Sequence, residues 1–349
     1  MPYLNYYIYL CNQNLYRLYL VTIFFMMLSI IIPVYNVAPY IEDCLKSVMR
    51  QTYDGAMECL IVDDCGTDDS IPIAERMIAE YSGPIHFEIL HHEHNRGLSA
   101  ARNTGTLQAK GEYIYYLDSD DELMHDGITL MMDATLKYPD VELVQGYVTS
   151  VPYKSYYETE FLSDVEYIEE NHWVRKGFYR LKDRLPVNAW NKLIKKTFIE
   201  DNALFFQEGL LFEDELWMFH VVKHLSKYCV VHQHTYIHRW GRKGSIMTTK
   251  TEAIWGKNWC IILNEVVHHL DTPFYREQLL CYLTKLVSIY GNKGFTMPSN
   301  LINDYQQELL KTRLYGIWIW FVFMKIKFPF LHKRLFKRIL YWIIWKKLK

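Results

Sequence analysis

Three carboxylates fall within four positions at Asp118-Ser119-Asp120-Asp121, directly behind the apolar run Tyr113-Ile114-Tyr115-Tyr116-Leu117. A second acidic pair, Asp63-Asp64, closes another apolar run, Cys59-Leu60-Ile61-Val62. Like charges this close repel one another unless a cation or a positively charged ligand is expected between them. Two acidic strand ends in one half of a chain suggest a single site built from both.

The elements that must position these carboxylates alternate in type. A strand over about 28–34 meets a loop at Tyr35-Asn36-Val37. Pro39 stands at a favourable first helical position, ahead of Ile41, Cys44, Leu45, Val48 and Met49 at helical spacing. A strand over 57–62 ends at Asp63-Asp64. Cys65-Gly66-Thr67-Asp68-Asp69-Ser70 supplies turn and cap chemistry before a second helical stripe of Ile73, Ala74, Met77, Ile78 and Tyr81. Ile85 to Ile89 alternates as a strand, a third helix is expected around 98–109, and Gly111 precedes the strand 113–117. Strands separated by helices imply right-handed crossovers and a mainly parallel sheet, whose ligand crevice lies beyond the carboxyl ends of its strands. The two acidic clusters occupy those ends and can share a crevice. No Gly-x-Gly-x-x-Gly or Walker Gly-Lys-Ser/Thr follows a strand, which argues against dinucleotide and P-loop sites.

The whole chain bounds the reading. Its 349 residues are 50% hydrophobic and 22% charged, enough for a substantial core. The net charge of −2 hides an asymmetry: residues 311–349 hold eleven Lys/Arg and no Asp/Glu, leaving 27 cations against 40 carboxylates, net −13, over residues 1–310. A basic tail on an acidic body points to an anionic surface, and its interleaved Trp, Phe, Leu and Ile argue against nucleic acid. After Pro329, Leu331, Leu335, Phe336, Ile339, Leu340 and Ile343 line one side of a helix, with Lys333, Arg334, Lys337 and Arg338 on the other. That is the pattern of an interfacial membrane helix, although a helix docked on the acidic body would read the same way. The apolar run Leu314–Met324 is too short to span a bilayer. The seven scattered Cys contain no Cys-x-x-Cys and fit a reducing cytoplasm. Residues 1–26 read as an upstream extension, because Leu28–Val34 is needed as a strand and the remaining apolar stretch cannot span a membrane.

Four segments resemble family 2 glycosyltransferases of the GT-A fold. They are Ser29-Ile30-Ile31-Ile32-Pro33-Val34-Tyr35-Asn36, Ile61-Val62-Asp63-Asp64-Cys65-Gly66-Thr67-Asp68-Asp69-Ser70, Asn95-Arg96-Gly97-Leu98-Ser99-Ala100-Ala101-Arg102-Asn103-Thr104-Gly105 and Leu117-Asp118-Ser119-Asp120-Asp121. The resemblance covers roughly 28–125, and more weakly to about 250. It implies an α/β GT-A catalytic domain over 27–230, a mostly helical region over 231–310 and the tail over 311–349. It places Pro33, Tyr35, Asn36, Asp63, Asp64, Arg102, Asp118, Ser119 and Asp120 on a nucleotide-sugar. Asp64 or Asp63 would read the base, and Asp118-Ser119-Asp120 would hold the ribose and a divalent metal. Mn²⁺ or Mg²⁺ on one or two carboxylates would neutralise the diphosphate leaving group, with Asp118, Asp120 and Asp121 as the candidate ligands.

Downstream, Glu208 to Trp217 is similar to the family's acidic segment, which makes Asp214 the general base and Glu213 its alternate. Direct displacement would invert the anomeric centre. Asn188 to Leu193 resembles an acceptor-side element, and Trp190, Asn191 and Trp217 are assigned to that side. Tyr236 to Met247 resembles a late loop in which Arg239, Arg242 and Lys243 compete for the diphosphate. The resemblance implies transfer from a nucleotide-diphosphate sugar, with a UDP-sugar expected, to a hydroxyl on a glycan. With the basic tail it implies a lipid-linked acceptor for a surface polysaccharide and peripheral placement at the inner face of the cell membrane.

Each assignment has a plainer alternative. Asp118, Asp120, Asp121, Asp63 and Asp64 can cap turns. Asp214 can serve the helix dipole, Arg102 can be a helix surface residue, and Asn103 and Gly105 can be there for packing. His91, His92 and His94 lack a fourth metal ligand and read as a polar loop. Trp and Tyr mostly build cores. At the level of the whole chain the alternatives are a haloacid-dehalogenase-like phosphatase and a silent sugar-nucleotide-binding module.

Overall fold

The computed structural model describes residues 27–152, 165–179, 185–241, 252–271, 274–275, 277–279, 281–282, 285 and 298–311. Two compact units divide at Arg242 and Lys243. The expectations placed on residues 1–26, on Arg242 and Lys243 and on the tail beyond 311 lie outside the described residues.

In the first unit, β1 (Leu28–Val34), β2 (Met57–Asp63), β3 (His86–His91) and β4 (Tyr113–Tyr116) run parallel in the order β3-β2-β1-β4. The helices between them are α1 (Ile41–Met49), α2 (Ser70–Glu80) and α3 (Leu98–Gln108). The sheet continues through β8 (Lys192–Lys195), β6 (Leu143–Val151), β9 (Tyr228–Arg239) and β5 (Glu122–Leu123), with β7 (Tyr167–Ile168) also on β9. The β6–β9 pair is parallel, whereas β8, β5 and β7 join antiparallel. The expected boundary at 230 falls inside β9, a strand of the same sheet. The helices α4 (Gly127–Lys137), α5 (Asn171–Phe178), α6 (Lys196–Asp201) and α7 (Glu213–His224) complete this unit.

β1 is buried along its whole length. Ile30, Ile32 and Val34 pack in one cluster with Ile41, Cys44, Leu45 and Val48 of α1, which is why a strand of uninterrupted apolar residues sits at the centre of the parallel block. Ile31 faces α3. A Cβ added at Gly105 would stand 2.4 Å from its Cγ2, so glycine lets α3 lie directly on the sheet. This close seat carries Arg102 and Asn103 toward the carboxyl ends of the strands. The expected α2 stripe is only partly used: Ala74 is buried, while Ile73, Met77 and Ile78 are half-buried.

The second unit contains α8 (Glu252–His268) and α9 (Ser299–Leu310). Ile262, Leu263, Val266, Leu301 and Tyr305 are buried, and Tyr305 Oη donates to Leu263 O at 3.1 Å. Among the described residues no helix is long and apolar enough to cross a membrane.

Candidate active site

The loops that leave β1 and β2 are tied to each other before they can meet any ligand. Asp68 Oδ2 accepts from Ala38 N at 2.8 Å, Ser70 Oγ from Val37 N at 2.9 Å, and Asn36 Oδ1 from Thr67 N at 2.8 Å. Asn36 itself takes a left-handed conformation (φ 52°), which asparagine tolerates better than most residues. Pro33 is buried in β1, and Tyr35 stands 48% exposed at the mouth.

Asp63 and Asp64 part company here. Asp64 is 3% exposed, and its carboxylate takes His92 Nδ1 (2.7 Å), Arg96 N (2.8 Å), Asn95 Nδ2 (2.8 Å) and Gly97 N (2.8 Å). Four donors match the lone-pair capacity of a carboxylate. Asp64 therefore shapes the 92–97 turn that starts α3 and has no capacity left for a base. Asp63 keeps an edge toward solvent, with His91 Nδ1 at 3.0 Å and Gly66 N at 3.3 Å. His92 also reaches Thr104 Oγ1 at 2.9 Å, so His91 at the end of β3 and His92 just after it are tied to Asp63, Asp64 and Thr104.

At the end of β4, oxygens of Asp118, Asp120 and Asp121 all lie within 4.8 Å of one another. Three hard oxygen donors fit Mg²⁺ or Mn²⁺ better than a soft, sulfur-seeking metal. Asp121 is 2% exposed, accepting from Tyr236 Oη at 2.8 Å and from Arg239 N at 2.7 Å. Burial, reinforced by the charges of Asp120 and Asp118, raises its carboxyl well above the ordinary range. The pairing of β5 with β9 sets Tyr236 and Arg239 against Asp121. Ser119 is buried. The Arg239 guanidinium bonds Asp120 O, Asp43 and Glu122, each at 3.1 Å, and so closes one edge of the cluster.

Arg102 joins this cluster to the downstream acidic segment. It is 1% exposed; one terminal nitrogen bonds Glu213 Oε1 (2.8 Å) and Asp214 Oδ1 (2.9 Å), and the other bonds Asp118 Oδ1 (2.9 Å). Burial works against its charge, but Asp214, Asp118 and Glu213 more than offset this and hold its pKa above the ordinary value. The helix-surface alternative is thereby excluded. Asn103, next in sequence, exchanges two hydrogen bonds with the backbone of Phe206 (2.8 and 2.9 Å) and fastens the segment leading to α7.

Glu213 and Asp214 open α7, behind Phe212 in a left-handed conformation (φ 62°). The positive end of the helix dipole favours their negative charge. Burial opposes it, and both carboxyls sit above their ordinary range: Glu213 at about 7, raised by burial and by Asp214, and Asp214 by burial, with Arg102 pulling the other way. Asp214 retains 19% side-chain exposure against 10% for Glu213, which makes it the better placed of the two to reach a substrate. Its Oδ2 accepts from Ala189 N at 3.1 Å.

Two assignments are corrected. Asn191 does not face an acceptor. It is fully buried, with Oδ1 accepting from Tyr115 Oη (3.1 Å) and Thr235 Oγ1 (2.6 Å) and Nδ2 donating to Gly146 O (2.8 Å), so it joins β4, β6 and β9. Trp217 is 2% exposed, stacked on Phe206 with ring centres 4.7 Å apart, its Nε1 donating to Leu204 O. It belongs to the core, because α7 turns that face inward. Trp190 is half-buried in a ring stack with Tyr236 (4.7 Å) and His238 (5.2 Å) beside the carboxylate cluster. Sequence reading included Tyr236 and Lys192 only within longer segments and gave neither a role, whereas Tyr236 bonds Asp121 and Lys192 lies buried close to the base segment. The alternation of Tyr236 and His238 along β9, two residues apart on one face, is the signal that finds the first.

The sequence profile of glycosyl transferase family 2 matches residues 29–203. Glycosyltransferase GlyG of Streptococcus pneumoniae is 29% identical over 289 residues, covering 81% of this chain and 89% of GlyG. Among solved structures, residues 1–349 of Staphylococcus aureus TarS in complex with UDP-GlcNAc superpose with a TM-score of 0.59 at 19% identity, covering 81% of this chain and 80% of that one. A mannosyltransferase of Pyrobaculum calidifontis, in complex with GDP-Man and Mn²⁺, superposes with a TM-score of 0.53 at 16% identity, covering 87% of each chain.

Proposed function

The chain belongs to glycosyl transferase family 2 and is a glycosyltransferase; from that premise we propose that it transfers a sugar from a UDP-sugar to an acceptor hydroxyl with inversion at the anomeric carbon. Family membership replaces the phosphatase alternative. The observation that carries the reading is the single buried guanidinium of Arg102 spanning Asp118 of the metal-type cluster and Asp214 of the base segment. It holds a leaving-group side and an attacking side in one rigid frame, as a direct displacement requires.

In this reading Asp120 and Asp118 hold Mn²⁺ or Mg²⁺, which when bound neutralises charge on the departing diphosphate. Asp121, both of whose oxygens already have donors, orients the pair through Tyr236 and Arg239. Asp63, Tyr35 and Asn36 flank the nucleoside, and Asp64 acts one step removed by shaping the 92–97 turn. Asp214 takes the proton of the acceptor hydroxyl as that oxygen attacks the anomeric carbon, and Arg102 keeps its carboxylate ionised and aimed. Trp190 offers a ring edge on the acceptor side. The family resemblance of the motifs supports a surface polysaccharide as acceptor, and the basic amphipathic sequence of 325–349 supports a lipid-linked one met at a membrane.

The test is a UDP-sugar panel (glucose, galactose, GlcNAc) with UDP release measured in Mn²⁺ and the anomer of the product read by NMR. Inverted product is expected. Asp214→Asn is expected to lower kcat by about 10²- to 10⁴-fold, the range of a lost general base. Because burial raises the Asp214 carboxyl, the acid limb of kcat should lie above the ordinary carboxylate range, with activity falling as pH drops and the base becomes protonated. Retained configuration, or an active Asp214→Asn, rejects the assignment.

A further inference from the structure

Lys192 begins β8 fully buried beneath the base segment. A buried lysine is rare unless its ammonium is engaged. Its Nζ donates to the backbone carbonyl of Asn188. The nitrogen of that same peptide group is Ala189 N, which donates to Asp214 Oδ2 at 3.1 Å. One peptide unit therefore has the lysine on its oxygen and the base on its N–H. A cation on a carbonyl oxygen polarises the amide and strengthens the hydrogen bond given from its nitrogen. Asn188 Nδ2 donates to Trp190 O, which fixes the turn around this unit.

We propose that Lys192 is a positioning residue for sugar transfer, acting on Asp214 through the Asn188–Ala189 peptide to hold Oδ2 and keep the carboxylate ionised. This rests on Asp214 being the base. The other Asp214 oxygen is held by Arg102 from α3, so the two cations grip the base from opposite sides, one directly and one through the peptide. The groups that bear on Asp214 are Arg102 from α3, Asp118 from the end of β4, Glu213 from its own helix and Lys192 from β8. Burial lowers Lys192 to about 7, while Asp214 pulls it back up and Arg102 pushes it down.

The test is Lys192→Met and Lys192→Gln in the full chain, assayed with whichever UDP-hexose the wild type turns over fastest. UDP affinity in Mn²⁺ and thermal melting serve as controls for folding. For Lys192→Met the expected result is a kcat lowered about tenfold or more, a donor KM within twofold of wild type, and an acid limb of kcat moved to higher pH because Asp214 is harder to ionise. Lys192→Gln keeps an amide donor for Asn188 O without the charge. It should recover part of kcat while its acid limb still moves upward. Wild-type kcat and an unmoved limb in either variant that binds UDP normally overturn the proposal, so a failure of the Met variant to fold leaves the Gln variant to decide. Asp214→Asn run alongside separates the two ideas. If it abolishes turnover while Lys192→Met is unaffected, the Lys192 inference alone falls; if it stays active, the base assignment falls.

Discussion

Two acidic strand ends that look alike in the sequence have opposite fates in the fold. Asp64, after β2, is surrounded by four donors from the 92–97 turn and becomes part of the scaffold. Asp118, Asp120 and Asp121, after β4, crowd one another instead, and the nearest buried cation is shared with Glu213 and Asp214. A carboxylate whose lone pairs are filled by the chain builds structure. Asp121 is filled in the same way by Tyr236 and Arg239, which on the proposed reading leaves Asp118 and Asp120 to take a cation. Residue type at a strand end decides little until the neighbouring loop has supplied its donors or withheld them.

The sharpest way to break this contrast is Arg102→Ala. Removing a buried cation from three carboxylates should cost about 3–5 kcal/mol of stability, seen as a large fall in the denaturant midpoint, together with loss of turnover. Stability close to wild type would mean that the three carboxylates do not depend on Arg102. Next is Asp64→Ala, which strands four donors and should cost about 3 kcal/mol, while the surviving folded protein still binds UDP more tightly in Mn²⁺ than in EDTA. A variant that melts normally but has lost the Mn²⁺ response would reverse the roles given to the two clusters. Smallest is Trp217→Phe, which gives up one hydrogen bond and some ring contact. About 1–2 kcal/mol of stability should go, with kcat and KM unchanged. A raised acceptor KM would return Trp217 to the acceptor side.

The strands and helices that frame the crevice were legible because their signals are local. The unbroken apolar run of β1, the glycine at 97 and the carboxylates that end β2 and β4 are each visible within a few residues. The clustering of carboxylates was legible in a short motif, as at Asp118 to Asp121. The site was not legible where partners arrive from distant segments. Asn191 looked polar and available because Tyr115, Gly146 and Thr235, which fill its hydrogen bonds, lie on three other strands. Arg102 was assigned to the nucleotide-sugar with a helix-surface alternative, and its ion pairs were not visible because the two carboxylates that bury it on the far side lie more than a hundred residues downstream. Trp217 followed the same rule, with its ring partners Phe206 and Tyr116 set by how α7 docks.

The central claim is that the cluster after β4 grips a metal-bound diphosphate. Isothermal titration of UDP, with GDP, dTDP and CDP as comparators, into wild type and Asp120→Ala, each in Mn²⁺ and in EDTA, tests it most directly. UDP should bind wild type at least tenfold more tightly in Mn²⁺ than in EDTA, a difference of about 1.4 kcal/mol or more, and Asp120→Ala should lose that gain. Equal affinity with and without Mn²⁺ in wild type, or a full Mn²⁺ gain in Asp120→Ala, would contradict it.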